Sequence, residues 1–282
     1  MLNIERVDYI MQELREKRTV YVKDLAERYF VSPSTIRRDL NSLEKEGLVR
    51  RTYGGAMLVQ HESSEIPFFV RQNENKQEKN VMGMLACQLV RNDQFIFLDS
   101  TSTVAHMVKY LRGKESLKVL TTSAEIALDC LDSLSAQVYC TGGWMSSFSR
   151  GFVGEAARKR IAEFRPDLLF FSARSLSLED GITDVNEEDV YMKQQMLRSC
   201  REVVFLCDKT KFDKTSYRII CDISKIDYLV TDEKPSELWL RRLADSGVKL
   251  IYPDAEKVKM IENQKKRACD AYGASAYEVG KG

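Results

Sequence analysis

Two clusters of polar residues in this chain are built to meet a partner. The first is Ser34, Thr35, Arg37 and Arg38. Near a helix start, hydroxyls can donate to phosphate or base edges and the open backbone N–H groups add positive dipole, while an arginine can fork onto guanine O6 and N7. That is the chemistry of reading duplex DNA. Either Arg37 or Arg38 could reach a base, and the sequence does not choose between them. Arg50, Arg51 and Tyr53 follow, beside Gly54 and Gly55, where they are expected to grip the DNA backbone and position the domain more than specify a base.

The second cluster is Asp99, Ser100, Thr101, Ser102 and Thr103. A run of hydroxyls and free backbone N–H groups leading into a helix near Thr103 suits an anion, with an ordinary helix cap as the plainer alternative. Other polar loops should emerge on the same edge: Thr122 after VLT, Gly142 and Gly143 after VYC, and Lys209 and Lys211 after FLC. Lys211 or Lys209 would complete the charge of a bound phosphate, and Asp99 would accept from sugar hydroxyls.

These residues need elements to hold them. Ile4, Val7, Met11 and Leu14 repeat at helical spacing, predicting an amphipathic helix to about Arg18. The stretch TVYV is of β type, and Leu25, Ala26 and Tyr29 give a short second helix. A third begins after Ser32, a candidate N-cap also counted with the DNA-facing residues, with Pro33 at the first helical position. Ile36, Leu40 and Leu43 face inward and Gly47 stops it. LVRRTYGGAMLV then reads as two strands around the glycines, a small wing. Residues 1–57 thus read as a winged helix-turn-helix domain, the arrangement that lays one helix in a major groove.

A polar, aperiodic stretch around Pro67, running into RQNENKQEKN, is read as a linker over 58–74. Over 75–253 strand-like segments alternate with helical patterns, the signature of an α/β domain around a mainly parallel sheet. The strands are expected at 94–98, 117–121, 136–140, 167–172, 202–207, 227–231 and 248–252. Residues 254–282 form a polar tail expected to fray.

Composition bounds the rest. With 282 residues, 44% apolar and 30% charged, the chain is globular, with length for one large or two unequal domains. No apolar run approaches a bilayer span and the start carries acids, so a cytoplasmic protein with no membrane partner is expected. Seven cysteines without a CxxC pair read as reduced core residues, and two histidines, His61 and His106, argue against a metal site. No cofactor is expected. The first 60 residues carry 11 basic and 9 acidic side chains, too little excess for a protein that coats DNA without regard to sequence.

The segment VKDLAERYFVSPSTIRRDLNSLEKEGLVRRTYGGA resembles the helix-turn-helix of the DeoR family of bacterial transcription regulators, which joins a "VS..TIRRDL..L" helix to an "R..GGA" wing. Likeness continues to about residue 235. Family members are mostly repressors of carbohydrate operons, with a second domain similar to ribose-5-phosphate isomerase that binds phosphorylated sugars. The resemblance implies the same fold here, a winged helix-turn-helix joined to a ribose-5-phosphate-isomerase-like α/β sensing domain. It also implies an operator of double-stranded DNA, a phosphorylated-sugar effector and a homodimer or homotetramer. FLDSTST stands where the family more often has LDSGTT, so Thr101 replaces a usual glycine, and a Cβ there would restrict any positive φ. DGITDVNEEDVYMKQQML resembles the family's later pocket loop and helix, with Lys193 at a recurrent basic position. The competing class is a sugar-phosphate isomerase carrying a DNA-binding module. It would need a base such as Asp99, Asp180, Glu187 or Glu188, and none lies in a recognisable catalytic spacing.

Overall fold

A computed structural model describes residues 3–45, 48–58 and 68–253. The chain divides into two compact units, residues 1–74 with 147–149, and 75–146 with the remainder.

In the first unit α1 (Asn3–Lys17), β1 (Thr19–Tyr21), α2 (Val22–Arg28) and α3 (Pro33–Lys45) are followed by the hairpin β2 (Val49–Thr52) and β3 (Gly55–Leu58). The core gathers the side chains that the helical spacing predicts: Met11 and Leu14 from α1, Leu25 and Ala26 from α2, and Ile36, Leu40 and Leu43 from α3. Strand β3 lies between β1 and β2, antiparallel to both. Gly55 is required by this pairing, because a Cβ there would fall 2.1 Å from the Val20 carbonyl oxygen. Gly47, Ile4's side chain and the linker residues around Pro67 lie outside the description. The last part of the expected linker is helical: Phe68–Asn73 forms α4. Its Arg71 stacks on the Phe148 ring, 4.6 Å from its centre, and donates to the Phe148 carbonyl at 3.2 Å.

The second unit runs α5 (Lys76–Ala86), β4 (Phe95–Leu98), α6 (Ser102–Ala105), β5 (Leu117–Thr121), α7 (Ala124–Ser133), β6 (Ala136–Cys140), β7 (Trp144–Met145), β8 (Phe152–Val153) and α8 (Glu155–Ala162). It continues with β9 (Leu168–Ser172), β10 (Ser175–Ser177), β11 (Gly181–Asp184), α9 (Glu187–Ser199), β12 (Glu202–Leu206), β13 (Arg218–Cys221), β14 (Tyr228–Val230), α10 (Glu237–Asp245) and β15 (Lys249–Ile251). Seven strands make one parallel sheet in the order β15-β14-β12-β9-β4-β5-β6. Alternate residues of each strand point to opposite faces, so Leu169 and Phe171 join a core with α8, α9 and α10, while Leu168 and Phe170 join one with α5 and α7.

Three expectations are corrected. Segments 175–177, 181–184 and 218–221, which are not among the expected strands, form an antiparallel sheet β10-β11-β13, too short to announce themselves by alternation. The helix after the hydroxyl loop starts at Ser102 and lasts only four residues. Of the cysteines expected in the core, Cys140 is exposed because it ends an edge strand; Cys130 and Cys207 are buried, and Cys269 lies outside the description.

Candidate functional site

The sheet order determines where a ligand can meet the second unit. From β4 the chain steps outward to β5 and β6, then returns to place β9 on the other side of β4 and continues to β12. Such a reversal opens a crevice beyond the carboxyl ends of the two strands on either side, here β4 and β9. Asp99 follows β4 and Ser172 ends β9, and the Ser172 N–H donates to Asp99 Oδ2 at 3.0 Å.

Asp99 is fully buried, and its other oxygen accepts the Thr101 N–H at 2.9 Å and the Thr101 hydroxyl at 2.5 Å. Burial pushes its carboxyl above the ordinary range, against the pull of Lys193 and these hydrogen bonds. Thr101 itself has φ −79° and caps α6 by accepting from the Val104 N–H. A glycine is therefore not required here, and the anticipated conflict with a positive φ does not arise. Ser102 and Thr103 are buried within α6, and Ser100 is half-buried. The Ser100 side chain meets the backbone of Gly151, where a Cβ would stand 2.5 Å from its hydroxyl oxygen.

Lysines enter this edge from three directions. Lys193 on α9 is buried and paired with Asp184. Burial opposes its charge, but Asp184, Asp99 and Asp189 together hold its pKa above the usual value. Lys211 donates to Ser172 Oγ at 2.9 Å and lies 3.5 Å from Asp208 Oδ2. Lys79 on α5, which the sequence reading passed over, is 4% exposed and donates to Ser102 Oγ at 3.2 Å. Its signal was present in the chain: Lys79 heads the stripe Lys79, Met82, Gly83, Ala86, whose members are all buried. Lys209, in contrast, turns outward to Glu233 at 2.8 Å, so it is not brought to this edge with Lys211.

Thr122 and Thr141, at the ends of β5 and β6, bury hydroxyl oxygens that have no hydrogen-bond partner among the described residues. Gly142 and Gly143 follow β6 with positive φ. At Gly143 a Cβ would meet the Val153 carbonyl oxygen at 2.6 Å, so packing on β8 accounts for that glycine. His106 faces Asn80 Oδ1 at 2.8 Å. Among the described residues no group of three His, Cys, Asp or Glu side chains converges as a metal would require.

In the first unit, Ser32 Oγ accepts the Thr35 N–H at 3.2 Å and lies 2.7 Å from Ser34 Oγ and 2.9 Å from Thr35 Oγ1, knitting the start of α3. The preceding turn is made by Phe30 in the left-handed region, φ +53°, with its ring 94% exposed. Arg37, Arg38 and Arg50 are exposed, and Tyr53 stands out at the wing tip. Arg51 departs from the expected backbone contact. Its guanidinium donates to Asn41 Oδ1 at 2.7 Å and to the Gly55 carbonyl at 3.0 Å, tying the wing to α3. Asp39, within the IRRDL run, is also turned inward. It forms a buried two-point pair with Arg6 of α1, at 2.6 Å from Nε and 3.2 Å from Nη2, and this bonding raises the arginine's pKa.

The comparisons with known proteins agree with this division. Residues 6–62 match the DeoR-like helix-turn-helix domain, and residues 74–233 match the DeoR C terminal sensor domain. HTH-type transcriptional regulator GolR of Listeria innocua is 32% identical over 88% of this chain and 98% of its own. The Putative aga operon transcriptional repressor of Escherichia coli O157:H7 is 28% identical over 88% of this chain and 93% of its own. The Glycerol-3-phosphate regulon repressor of Escherichia coli K12 is 25% identical, over 89% and 99% respectively. Among solved structures, ribose 5-phosphate isomerase A of Methanocaldococcus jannaschii matches 49% of this chain and 55% of its own at 16% identity, with a TM-score of 0.38.

Proposed function

The chain belongs to the DeoR family of transcriptional regulators, and on that premise we propose that it is a cytoplasmic repressor of a carbohydrate operon. It reads a two-fold operator as a homodimer or homotetramer, and its hold on DNA changes when a phosphorylated sugar occupies the carboxyl edge of the sensing domain. The observation that carries the DNA half is the separation of faces on α3. Ile36, Leu40 and Leu43 are buried while Arg37 and Arg38 stand in water. Ser32, Ser34, Thr35, Arg50 and Tyr53 complete the DNA-facing surface, and Arg51 serves it from behind by holding the wing.

The effector half is supported by the convergence of Asp99, Lys193, Lys211 and the hydroxyls of Ser102 and Thr122 at the reversal of the sheet, together with relatives named for the aga operon and the glycerol-3-phosphate regulon. Asp99 already uses both carboxylate oxygens to hold Thr101 and Ser172, which suits a ligand-orienting part better than a proton-abstracting one. No helix among the described residues is long and apolar enough to cross a membrane.

The test is footprinting on DNA upstream of the adjacent genes, repeated with a panel of sugar phosphates. Protection of a defined site that one sugar phosphate alters is expected. Uniform displacement by any competitor DNA, or aldose-ketose turnover abolished by Asp99→Asn, would overturn the reading.

A further inference from the structure

The two edges of the parallel sheet are finished differently. At one end β15 has three residues, and its exposed Lys249 holds the ammonium over the Tyr228 ring, 4.8 Å from its centre. A short strand carrying a lysine is a usual protection of an edge. At the other end β6 has five residues, AQVYC, and pairs with β5 alone. No charged side chain stands anywhere between Asp132 and Arg150, in a chain that is 30% charged. The outer side of β6 is a row of open backbone groups. The Thr141 N–H donates to the Thr121 carbonyl at 3.2 Å, so by alternation the N–H and C=O groups of Val138 and Cys140 turn away from β5. They meet no strand among the described residues.

Helix α7 borders the same edge. Its Ile126 and Cys130 share a core with Val104 and Met107 of the connection from β4 to β5, so both segments lie on one face of the sheet. Ser133 accepts from Arg112 of that connection at 3.4 Å, which identifies the flank of α7 that looks toward the middle of the sheet. By helical spacing Leu128 and Leu131 lie on the opposite flank, above the β6 edge, and they are 61% and 60% exposed. A single exposed leucine is ordinary. A pair of them beside an unprotected, uncharged strand is a contact surface.

Resting on the two-fold operator reading above, we propose that β6 and the Leu128 and Leu131 flank of α7 form the surface on which a second copy of this chain docks. Antiparallel strand pairing is its own two-fold complement, so β6 meets β6 of the copy and the parallel sheet continues across the axis. The α7 helices then lie on the same face and bring leucine against leucine. A two-fold axis also sets side chains near others of their own kind. Charges on this strand would face their own sign, and it carries none. Pairing of this symmetry matches an operator made of two half-sites.

Sedimentation of the full chain tests the assignment. The double variant Leu128→Glu with Leu131→Glu places like charges across the axis, and Cys140→Pro removes an outward N–H at a solvent-facing edge position that tolerates proline. Each should halve the particle mass while far-UV circular dichroism keeps the parent's shape. Leu238→Glu, at an equally exposed leucine on α10, should leave the mass unchanged. On the footprinted duplex the double variant should bind about a hundredfold more weakly, since its half-sites are then engaged separately. Hydrogen exchange needs no variant: the Val138 and Cys140 amides of the parent should be protected, and more so as protein concentration rises. An oligomer whose mass neither variant changes overturns the assignment, as does an oligomeric parent in which these two amides exchange freely. Either result leaves operator reading standing if the footprint persists. A parent that is monomeric on and off DNA removes both the surface and the two-fold reading.

Discussion

The two units offer their positive charges in opposite ways. On α3 and the wing, Arg37, Arg38 and Arg50 are exposed, while at the sensing edge Lys79 and Lys193 are buried and already bonded. A DNA backbone is a long array of phosphates whose counterions are released on contact, so solvated side chains suffice and can adjust on docking. A small anion provides few contacts and repays no large reorganisation. Its donors must be preset in a low dielectric before it arrives. The same contrast recurs inside the first unit, where Arg6 is buried against Asp39 only a short way along the chain from the exposed arginines.

Breaking that contrast at its buried extreme gives the largest expected effect. Asp39→Ala should cost about 3–5 kcal/mol of stability in the helix-turn-helix unit, because it removes the two-point carboxylate partner of the buried Arg6 charge, and pairing it with Arg6→Met should restore most of the loss. Urea unfolding of the single and double variants measures this. A loss below about 1 kcal/mol, typical of exposed pairs, would show that burial does not set the difference.

At the exposed extreme, Arg37→Ala or Arg38→Ala should lower operator affinity by about 1–3 kcal/mol, with relaxed preference at one base pair per half-site and little change in melting. Quantitative footprinting against single-base operator variants reads both. If neither substitution alters the footprint, α3 is not the reading helix.

Arg51→Ala separates the two kinds of arginine more finely. Since its guanidinium is bonded to Asn41 and Gly55, stability should fall by about 1 kcal/mol while the salt dependence of DNA binding stays the same. A salt slope reduced by about one would instead make it a phosphate contact.

The sensing edge has a pH signature. Burial raises the Asp208 carboxyl, but Lys211, Thr210 and Lys79 outweigh it, and the net pKa is lowered from 3.8. A depressed folded pKa contributes stability that is present above the unfolded value and lost as pH falls through the folded one. The stability gap between parent and Asp208→Asn should therefore be constant near neutrality and shrink below 3.8. A gap that widens on acidification would mean the carboxyl is unfavourably placed. The smallest effect belongs to Lys209→Ala, whose ion pair with Glu233 is solvated. It should leave the response to sugar phosphates and the melting temperature unchanged.

Much of this was legible in the chain. The spacing of Ile36, Leu40 and Leu43, with Ser32 and Pro33 before them, announces α3 because a helix must bury one face. Runs such as LKVLT and EVVFLC announce parallel strands because both their faces are buried. The short antiparallel sheet around Ile182 and Ile220 was not legible, since its strands alternate too briefly to show a period. Lys79 was hidden in a polar run, and Asp39 in a motif whose other charges face outward.

The order of residues alone determined the helices of the first unit and the strands of the parallel sheet, and which of their faces are apolar, because these follow from periodicity and local capping. The partners of the charged groups were decided only when distant segments met: Arg6 with Asp39, Lys79 with Ser102, Lys211 with Ser172. A charge has no period and no fixed reach in sequence, and its worth depends on how much water the fold leaves around it.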